Sequence, residues 1–225
     1  MLLFPRMNAA PRVPLLALGL LAGACTDRAC GGLGGMPPAP LPMVKQGNRE
    51  FYLLDRGRYK AFYDTMGRLD RIEFDSNGDG RGDYIVHYDA SGQVGLVEVD
   101  EDFDGWIDRW EYYDAKGVLE KVGRSRRGRQ KPDVWTFPGP QGRPSRIEYD
   151  EDGDGKVDRV EILRDGQVVR VEIDSDRDGR VDRWQTWEAG RLRSEELDTK
   201  GAGRPDRRIV YDARGSVLRV ERLPP

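Results

Sequence analysis

Acidic side chains recur in this chain at alternate positions, each run followed by a glycine, in the order that suits a hard divalent cation. Calcium takes six to eight oxygens at about 2.3–2.6 Å. A loop supplies them with oxygen-bearing side chains at positions 1, 3, 5 and 9, a glycine bend at 6, a backbone carbonyl at 7 and a Glu at 12. The stretch DEDGDGKVDRVE, 150–161, meets each condition with Asp150, Asp152, Asp154, Gly155, Asp158 and Glu161. Residues 100–111 do the same with Asp100, Asp102, Asp104, Gly105, Asp108 and Glu111. A third copy has Asp75, Asn77, Asp79, Gly80 and Asp83, with Val86 at position 12. A fourth has Asp174, Asp176, Asp178, Gly179 and Asp182, with Gln185 there. These residues are the expected ligands of about four structural Ca2+ ions. Without a cation, each loop holds several like charges within a few ångströms, which is costly.

Two further copies have lost their acids. SRRGRQKPD, 125–133, carries Arg126, Arg127, Arg129 and Lys131 and keeps Asp133; DTKGAGRPD, 198–206, keeps Asp198 and Asp206 and gains Lys200. These are expected to bind no calcium, a tethered cation holding the turn by a salt bridge instead. A Glu also precedes most loops by two residues: Glu73, Glu98, Glu148, Glu172 and Glu196. It reads either as a supplementary ligand or as a cross-strand partner for Arg109, Arg159, Arg183 or Arg207. On a strand, Glu111 and Glu161 face the same choice between the ion and the sheet.

The elements that position these loops follow from a repeat. The six copies start at Asp75, Asp100, Ser125, Asp150, Asp174 and Asp198, at intervals of 25, 25, 25, 24 and 24, and the ninth residue is Asp in every one. A half copy at 59–74 precedes them. Each loop is followed by about six residues rich in Trp, Tyr, Val and Ile that alternate with polar ones, as in Arg109, Trp110, Glu111 and Tyr112. A turn such as YDASG (88–92), YDAKG (113–117) or YDARG (211–215) comes next. Segments that short, interrupted by Gly, are poor helices, and the period of two is that of strands. The predicted fold is therefore all-β: an elongated antiparallel meander or solenoid of about six 24–25-residue hairpin repeats, each preceded by a calcium-type loop. One hairpin per repeat predicts roughly twelve to fourteen strands. A helical array of calcium loops is the alternative.

Composition agrees with a thin core. Of 225 residues, 37% are hydrophobic and 34% charged, with 40 acids against 37 Lys plus Arg and a net charge of -3. An average domain is about 45–50% apolar. The near-neutral balance gives no global field for nucleic acid. Residues 1–24 read as a signal peptide, with Arg6 and Arg12 ahead of the short apolar run 13–24. The Gly- and Pro-rich stretch 25–46 reads as anchor and tether, leaving 47–225 as the repeat domain.

Several resemblances add to this reading. LAGAC at 21–25 resembles the lipobox of bacterial lipoproteins, although Ala22 stands where Leu is usual. The resemblance implies cleavage before Cys25, lipidation of Cys25 and, with Thr26 rather than Asp next, sorting to an outer membrane where the cell has one. Ordinary cleavage with a Cys25–Cys30 disulfide is the alternative; both place the protein outside the cytoplasm. The DxDxDG loops look like EF-hand-like repeats and thrombospondin type 3 modules. YDTMGRLDRIEFD (63–75) and YDAKGVLEKV (113–122) resemble the YD repeats of bacterial wall-associated and toxin proteins, with a rhythm similar to MORN-type hairpins. These likenesses, over roughly 59–222, imply a structural or interaction module and no reaction.

Nothing in the sequence asks for catalysis. The single histidine, His87, sits at a strand position, with no Ser or Cys nucleophile beside it. The basic run at 123–131 reads as a solvated loop, and Trp110, Trp135, Trp184 and Trp187 as the apolar side of a sheet. The expected function is that of a non-enzymatic, exported lipoprotein with structural calcium-binding repeats, a cell-envelope scaffold or interaction module. It is held to the membrane by an N-terminal lipid and contacts an envelope protein or glycan, not nucleic acid. The alternative is a glycan-binding module that uses an exposed aromatic strand face.

Overall fold

The computed structural model describes residues 41–224 apart from Arg129; the expected signal peptide, Cys25 and Cys30 lie outside the described residues. Residues 41–225 form a compact unit of their own. It is a single antiparallel sheet of sixteen strands in sequence order, and the sheet is not closed. The strands are β1 (Met43–Gln46), β2 (Arg49–Asp55), β3 (Tyr59–Tyr63), β4 (Leu69–Phe74), β5 (Tyr84–Tyr88), β6 (Val94–Val99), β7 (Arg109–Tyr113) and β8 (Leu119–Arg124). They continue as β9 (Val134–Pro138), β10 (Pro144–Tyr149), β11 (Arg159–Arg164), β12 (Gln167–Ile173), β13 (Arg183–Glu188), β14 (Arg191–Leu197), β15 (Arg207–Tyr211) and β16 (Val217–Arg222). The meander is the predicted one, with two strands more than the upper expectation. The extra two are β1 and β2, a hairpin across a Gly47–Asn48 turn, of which β1 lies within the stretch that composition reads as tether. No α-helix occurs among the described residues, so the helical array of calcium loops is set aside.

Two kinds of connection alternate. On one side of the ribbon lie Asx turns: Asp64, Asp89, Asp114 and Asp212 each accept backbone N–H groups two and four residues on. Each of these turns follows a register shift at its Tyr, at Tyr63, Tyr88, Tyr113 and Tyr211. The recurring Tyr-Asp pair is therefore a bulged strand end followed by a turn cap. All six nine-residue loops lie on the other side, between β4 and β5, β6 and β7, and so on to β14 and β15. Neighbouring loops are two strands, about 10 Å, apart.

Paired residues share a face. One row runs Ala61, Ile72, Val86, Val97, Glu111, Val122, Thr136, Ile147, Glu161, Val171, Gln185, Glu195, Ile209 and Val220 from strand to strand. The opposite face alternates Glu73, Glu98, Glu148, Glu172 and Glu196 with Ile85, Trp110, Trp135, Val160, Trp184 and Arg208. A single layer buries little: the fully buried apolar side chains include Phe51, Phe62, Val97, Trp110, Ile147 and Val171. Six loop aspartates, Asp83, Asp100, Asp133, Asp150, Asp158 and Asp174, are as deeply buried, and Asp150 is 0% exposed. Loop carboxylates thus occupy interior positions that a thicker protein would give to hydrocarbon.

Candidate metal centre

The ninth residue explains its own recurrence. In each loop its N–H donates to the carbonyl of the last strand residue before the loop, as Asp83 to Phe74 and Asp158 to Tyr149, at 2.8–3.0 Å. Its carbonyl accepts from the first residue of the next loop, as from Asp100 to Asp83 and Asp150 to Asp133. Its carboxylate accepts the N–H of position 2: Ser76, Glu101, Arg126, Glu151, Ser175 and Thr199, at 2.5–3.2 Å. Position 9 is a clamp that closes its own loop and hangs the next one from it. It is needed whether or not a metal is bound, and for that reason Asp133 and Asp206 persist in the basic copies.

Position 1 shapes the bend. Asp150 accepts N–H groups from Gly153 at 2.5 Å and Gly155 at 2.9 Å; Asp100 does so from Phe103 and Gly105, Asp75 from Gly78 and Gly80, and Asp174 from Arg177 and Gly179. Positions 3 and 5 add short Asx links: Asn77 to Asp79, Asp102 to Asp104, Asp152 to Asp154 and Asp176 to Asp178, then Asp79 to Arg81, Asp104 to Trp106, Asp154 to Lys156 and Asp178 to Arg180. In the four acidic loops position 6 has φ near +90°, as at Gly155 with φ 96, where a side chain is strained and Gly is favoured; in the third loop Gln130 stands there at φ 57.

Carboxylate oxygens then converge. Among the described residues three groups lie within 4.8 Å: Asp100, Asp102 and Asp108; Asp150, Asp152 and Asp158; Asp174, Asp176 and Asp178. In the first loop Asp75, Asp79 and Asp83 form no such group. Position 2 accounts for part of this pattern. Where it is Ser76, Ser175 or Thr199, the hydroxyl engages the position 9 carboxylate. Where it is Glu101 or Glu151, Asp108 and Asp158 are left to join positions 1 and 3. The donor set is all oxygen, and its chemistry fits a hard divalent cation.

The two position 12 glutamates are not in these groups. Glu111 accepts from the Tyr113 hydroxyl at 2.7 Å and pairs with Arg109 at 3.4 Å; Glu161 accepts from Tyr149 at 3.2 Å and bonds Arg159. Three residues into a strand, each faces the valine row rather than the loop. The glutamates ahead of the loops are ion-paired too, but not with the expected arginines. Glu73, Glu148 and Glu172 pair with Arg71, Arg146 and Arg170 on their own strands and Glu196 with Arg208, while Glu98 is hydrogen-bonded to the His87 ring and accepts from the Trp110 N–H. Arg109, Arg159 and Arg183 lie on the other face and pair with Glu101, Glu151 and Glu195.

Charge divides the loops. Burial pushes the Asp108 carboxyl above its usual range, against the Glu101 N–H, and the Asp102 and Asp100 charges push it further. At Asp176 the Asp178 N–H pulls down, but burial and the charges of Asp178 and Asp182 win and the group is raised. In the sixth loop the direction reverses: the Thr199 N–H, against burial, and then the Thr199 hydroxyl and Lys200 hold Asp206 below its usual value. Lys200 Nζ stands 3.6 Å from Asp206, and in the third loop Arg126 and Arg127 stand 3.3 and 3.7 Å from Asp133. Lys200 and Arg127 both occupy position 3. Cations also cross between loops: Arg127 donates to the Glu151 carbonyl, Lys131 to that of Gly153 at 3.0 Å, and Arg177 pairs with Asp152 at 3.1 Å.

No protein-family model matches the chain, and no curated protein matches it in sequence. Solved structures resemble it only faintly. The accessory secretory protein 1, 2 and 3 structure from Streptococcus pneumoniae is 12% identical with a TM-score of 0.31, over 53% of this chain and 20% of that one. A GtfA/B complex bound to UDP and GlcNAc is 14% identical with a TM-score of 0.31, over 63% and 28%. TarM from S. aureus, a G117R mutant with Fondaparinux, alpha-GlcNAc-glycerol and UDP, is 10% identical with a TM-score of 0.27, over 52% and 20%. The chain thus spans under a third of the length of these proteins.

Proposed function

We propose that this chain is a non-enzymatic, exported lipoprotein whose hairpin repeats are stiffened by structural calcium and serve as a cell-envelope scaffold or interaction module. One observation carries the calcium reading. The same place in the loop holds either converging carboxylates or a fixed cation: in the second and fourth loops an acid at position 3 meets positions 1 and 9 within 4.8 Å, and in the third and sixth a Lys or Arg at position 3 faces position 9. Both arrangements make sense if the site needs positive charge, supplied by an ion in one case and a side chain in the other. The second, fourth and fifth loops would hold the ion through carboxylates 1 and 3, with 9 or 5. The first, with Asn77, would hold it most weakly. Glu111 and Glu161 would stay in the sheet, leaving water to complete the shell.

Calcium of this kind binds the folded form alone and raises stability by mass action, by about 2.7 kcal/mol per site at a hundredfold excess over Kd. Calorimetric titration of residues 41–225 tests the proposal, with melting followed in calcium and in chelator. Binding heat and a raised transition support it; no heat and no shift overturn it. The lipid anchor is tested separately, by labelling cells with a radioactive fatty acid. Cys25→Ala is expected to abolish incorporation and release the protein from the membrane fraction.

A second reading, glycan binding, draws on Phe103 and Trp106. Both are exposed on the second loop, whereas Trp110 is buried and Trp135, Trp184 and Trp187 are half-buried. Loss of binding to a glycan array in Phe103→Ser and Trp106→Ser variants would favour it; no binding by the parent would remove it.

A further inference from the structure

We infer that β16 is a docking edge for a second copy of this chain, the two strands pairing antiparallel about a two-fold axis at Val220. The strand is hydrogen-bonded on one side only, to β15, and Val217, Leu218 and Val220 are 57%, 62% and 61% exposed. Val220's counterparts inside the sheet are not: in the row that ends there, Val97 is 3%, Ile147 8% and Val171 6% exposed. β16 therefore carries an interior row's apolar residue at an edge, with Leu218 added where the matching strands have Asp70, Gly95 and Glu120. Sheet edges are ordinarily blunted by proline, a bulge or inward charge. β16 has no proline within it, its one register shift is the inward one at Tyr211, and two of its three charges, Arg219 and Glu221, neutralise each other.

The backbone supplies the donors. The Leu223 N–H bonds the Asp206 carbonyl at 2.9 Å, so residues 219, 221 and 223 turn their backbone groups towards β15. Alternation then points the N–H and C=O of Val220 and Arg222 at the open edge. With the axis at Val220, the two Val220 residues exchange a reciprocal pair of hydrogen bonds. On the opposite face Arg219 falls across from Glu221 of the second copy, and Glu221 across from its Arg219. These are non-hydrogen-bonded positions, where Cα atoms approach to about 4.5 Å. Within one copy Arg219 and Glu221 already bond each other at 2.5 Å. Moving the axis one residue either way sets Arg219 against Arg219 or Glu221 against Glu221. Among these three registers charge complementarity selects the one at Val220, which a second copy of β16 satisfies, and an isologous pair closes growth at this edge.

Sedimentation velocity of residues 41–225 at rising concentration is the test, with three variants. The chain is expected to pass from monomer to dimer and no further. Val220→Pro removes an N–H that does not serve β15, a placement edge strands tolerate. It is expected to weaken the dimer about tenfold or more, through two lost main-chain hydrogen bonds, with unchanged melting. Arg219→Glu alone also weakens it, and Arg219→Glu with Glu221→Arg restores it. A chain that stays monomeric at every concentration overturns the inference. So do species larger than a dimer, which head-to-tail pairing of β16 with β1 would give, and so does a dimer indifferent to all three variants.

Discussion

The fourth and sixth loops share a backbone and differ in charge. Both close through the N–H of an aspartate at position 9, both tie that carboxylate to position 2, and both fold position 6 onto the carboxylate of position 1, at Gly155 and Gly203. The fourth loop then gathers Asp150, Asp152 and Asp158 into one place, where the sixth has Lys200 facing Asp206. The difference separates two jobs that the calcium motif fuses. The frame of the loop is made by N–H groups collected on positions 1 and 9. The electrostatic centre, set largely by position 3, is exchangeable: converging carboxylates in one loop, a cation facing Asp206 in the other.

The largest expected effect removes the frame. Asp150→Ala leaves the half-buried Gly153 N–H and the exposed Gly155 N–H without the buried carboxylate that accepts them, and is expected to cost about 2 kcal/mol. Urea denaturation in chelator measures it, and a loss below 1 kcal/mol would return the frame to the metal. Next comes an exchange of centres. Asp102→Lys is expected to raise stability in chelator by about 1 kcal/mol and to remove one calcium from the calorimetric stoichiometry. Lys200→Met should lower the melting temperature equally in chelator and in calcium. If Asp102→Lys destabilises in chelator, the two kinds of loop are not variants of one design. A smaller effect sharpens the fourth loop alone. Arg177 competes for Asp152, so Arg177→Gln is expected to tighten calcium there about twofold, the worth of an exposed ion pair; an unchanged affinity in titration would assign Arg177 no part.

The smallest effect is in pH. Asp206 lies below its ordinary value, so its stabilisation is present above the unfolded value and is lost as pH falls through the lowered one. Asp108 lies above, so its favourable state holds below the unfolded value and is lost as pH rises through the raised one. Carboxyl-carbon NMR in chelator should show Asp108 titrating at higher pH than Asp206. The reverse order would contradict the contrast.

Much of the fold was legible because the repeat carries it: a period of 24 or 25, a turn signal in each copy and alternation of period two leave little choice but hairpins. The strand count fell short at β1 and β2, which precede the first half copy; β1 is four residues whose pairing depends on β2 and not on any pattern of their own. The first-position aspartates and glycine bends were readable from spacing. Glu111 was not, because position 12 of a loop becomes a sheet position when a strand follows, where Tyr113 and Arg109 claim it. The partners of Glu98 and Glu148 were misplaced by parity: Arg109 and Arg159 stand one residue from the matching register position and so face the other way. The hydroxyl at Ser76, Ser175 and Thr199 was a visible signal left unused. It separates the first, fifth and sixth loops from the second and fourth at a position that contributes no ligand.

Among the described residues each strand has as neighbours only those before and after it in the chain, and each loop after the first is suspended from the one preceding it. A genetic duplication of one 25-residue block would accordingly bring its own pairing partners and its own point of suspension, with no packing elsewhere to be solved again. The number of blocks becomes a quantity that evolution can lengthen or shorten almost neutrally, and reach, rather than shape, is the property that such changes would tune.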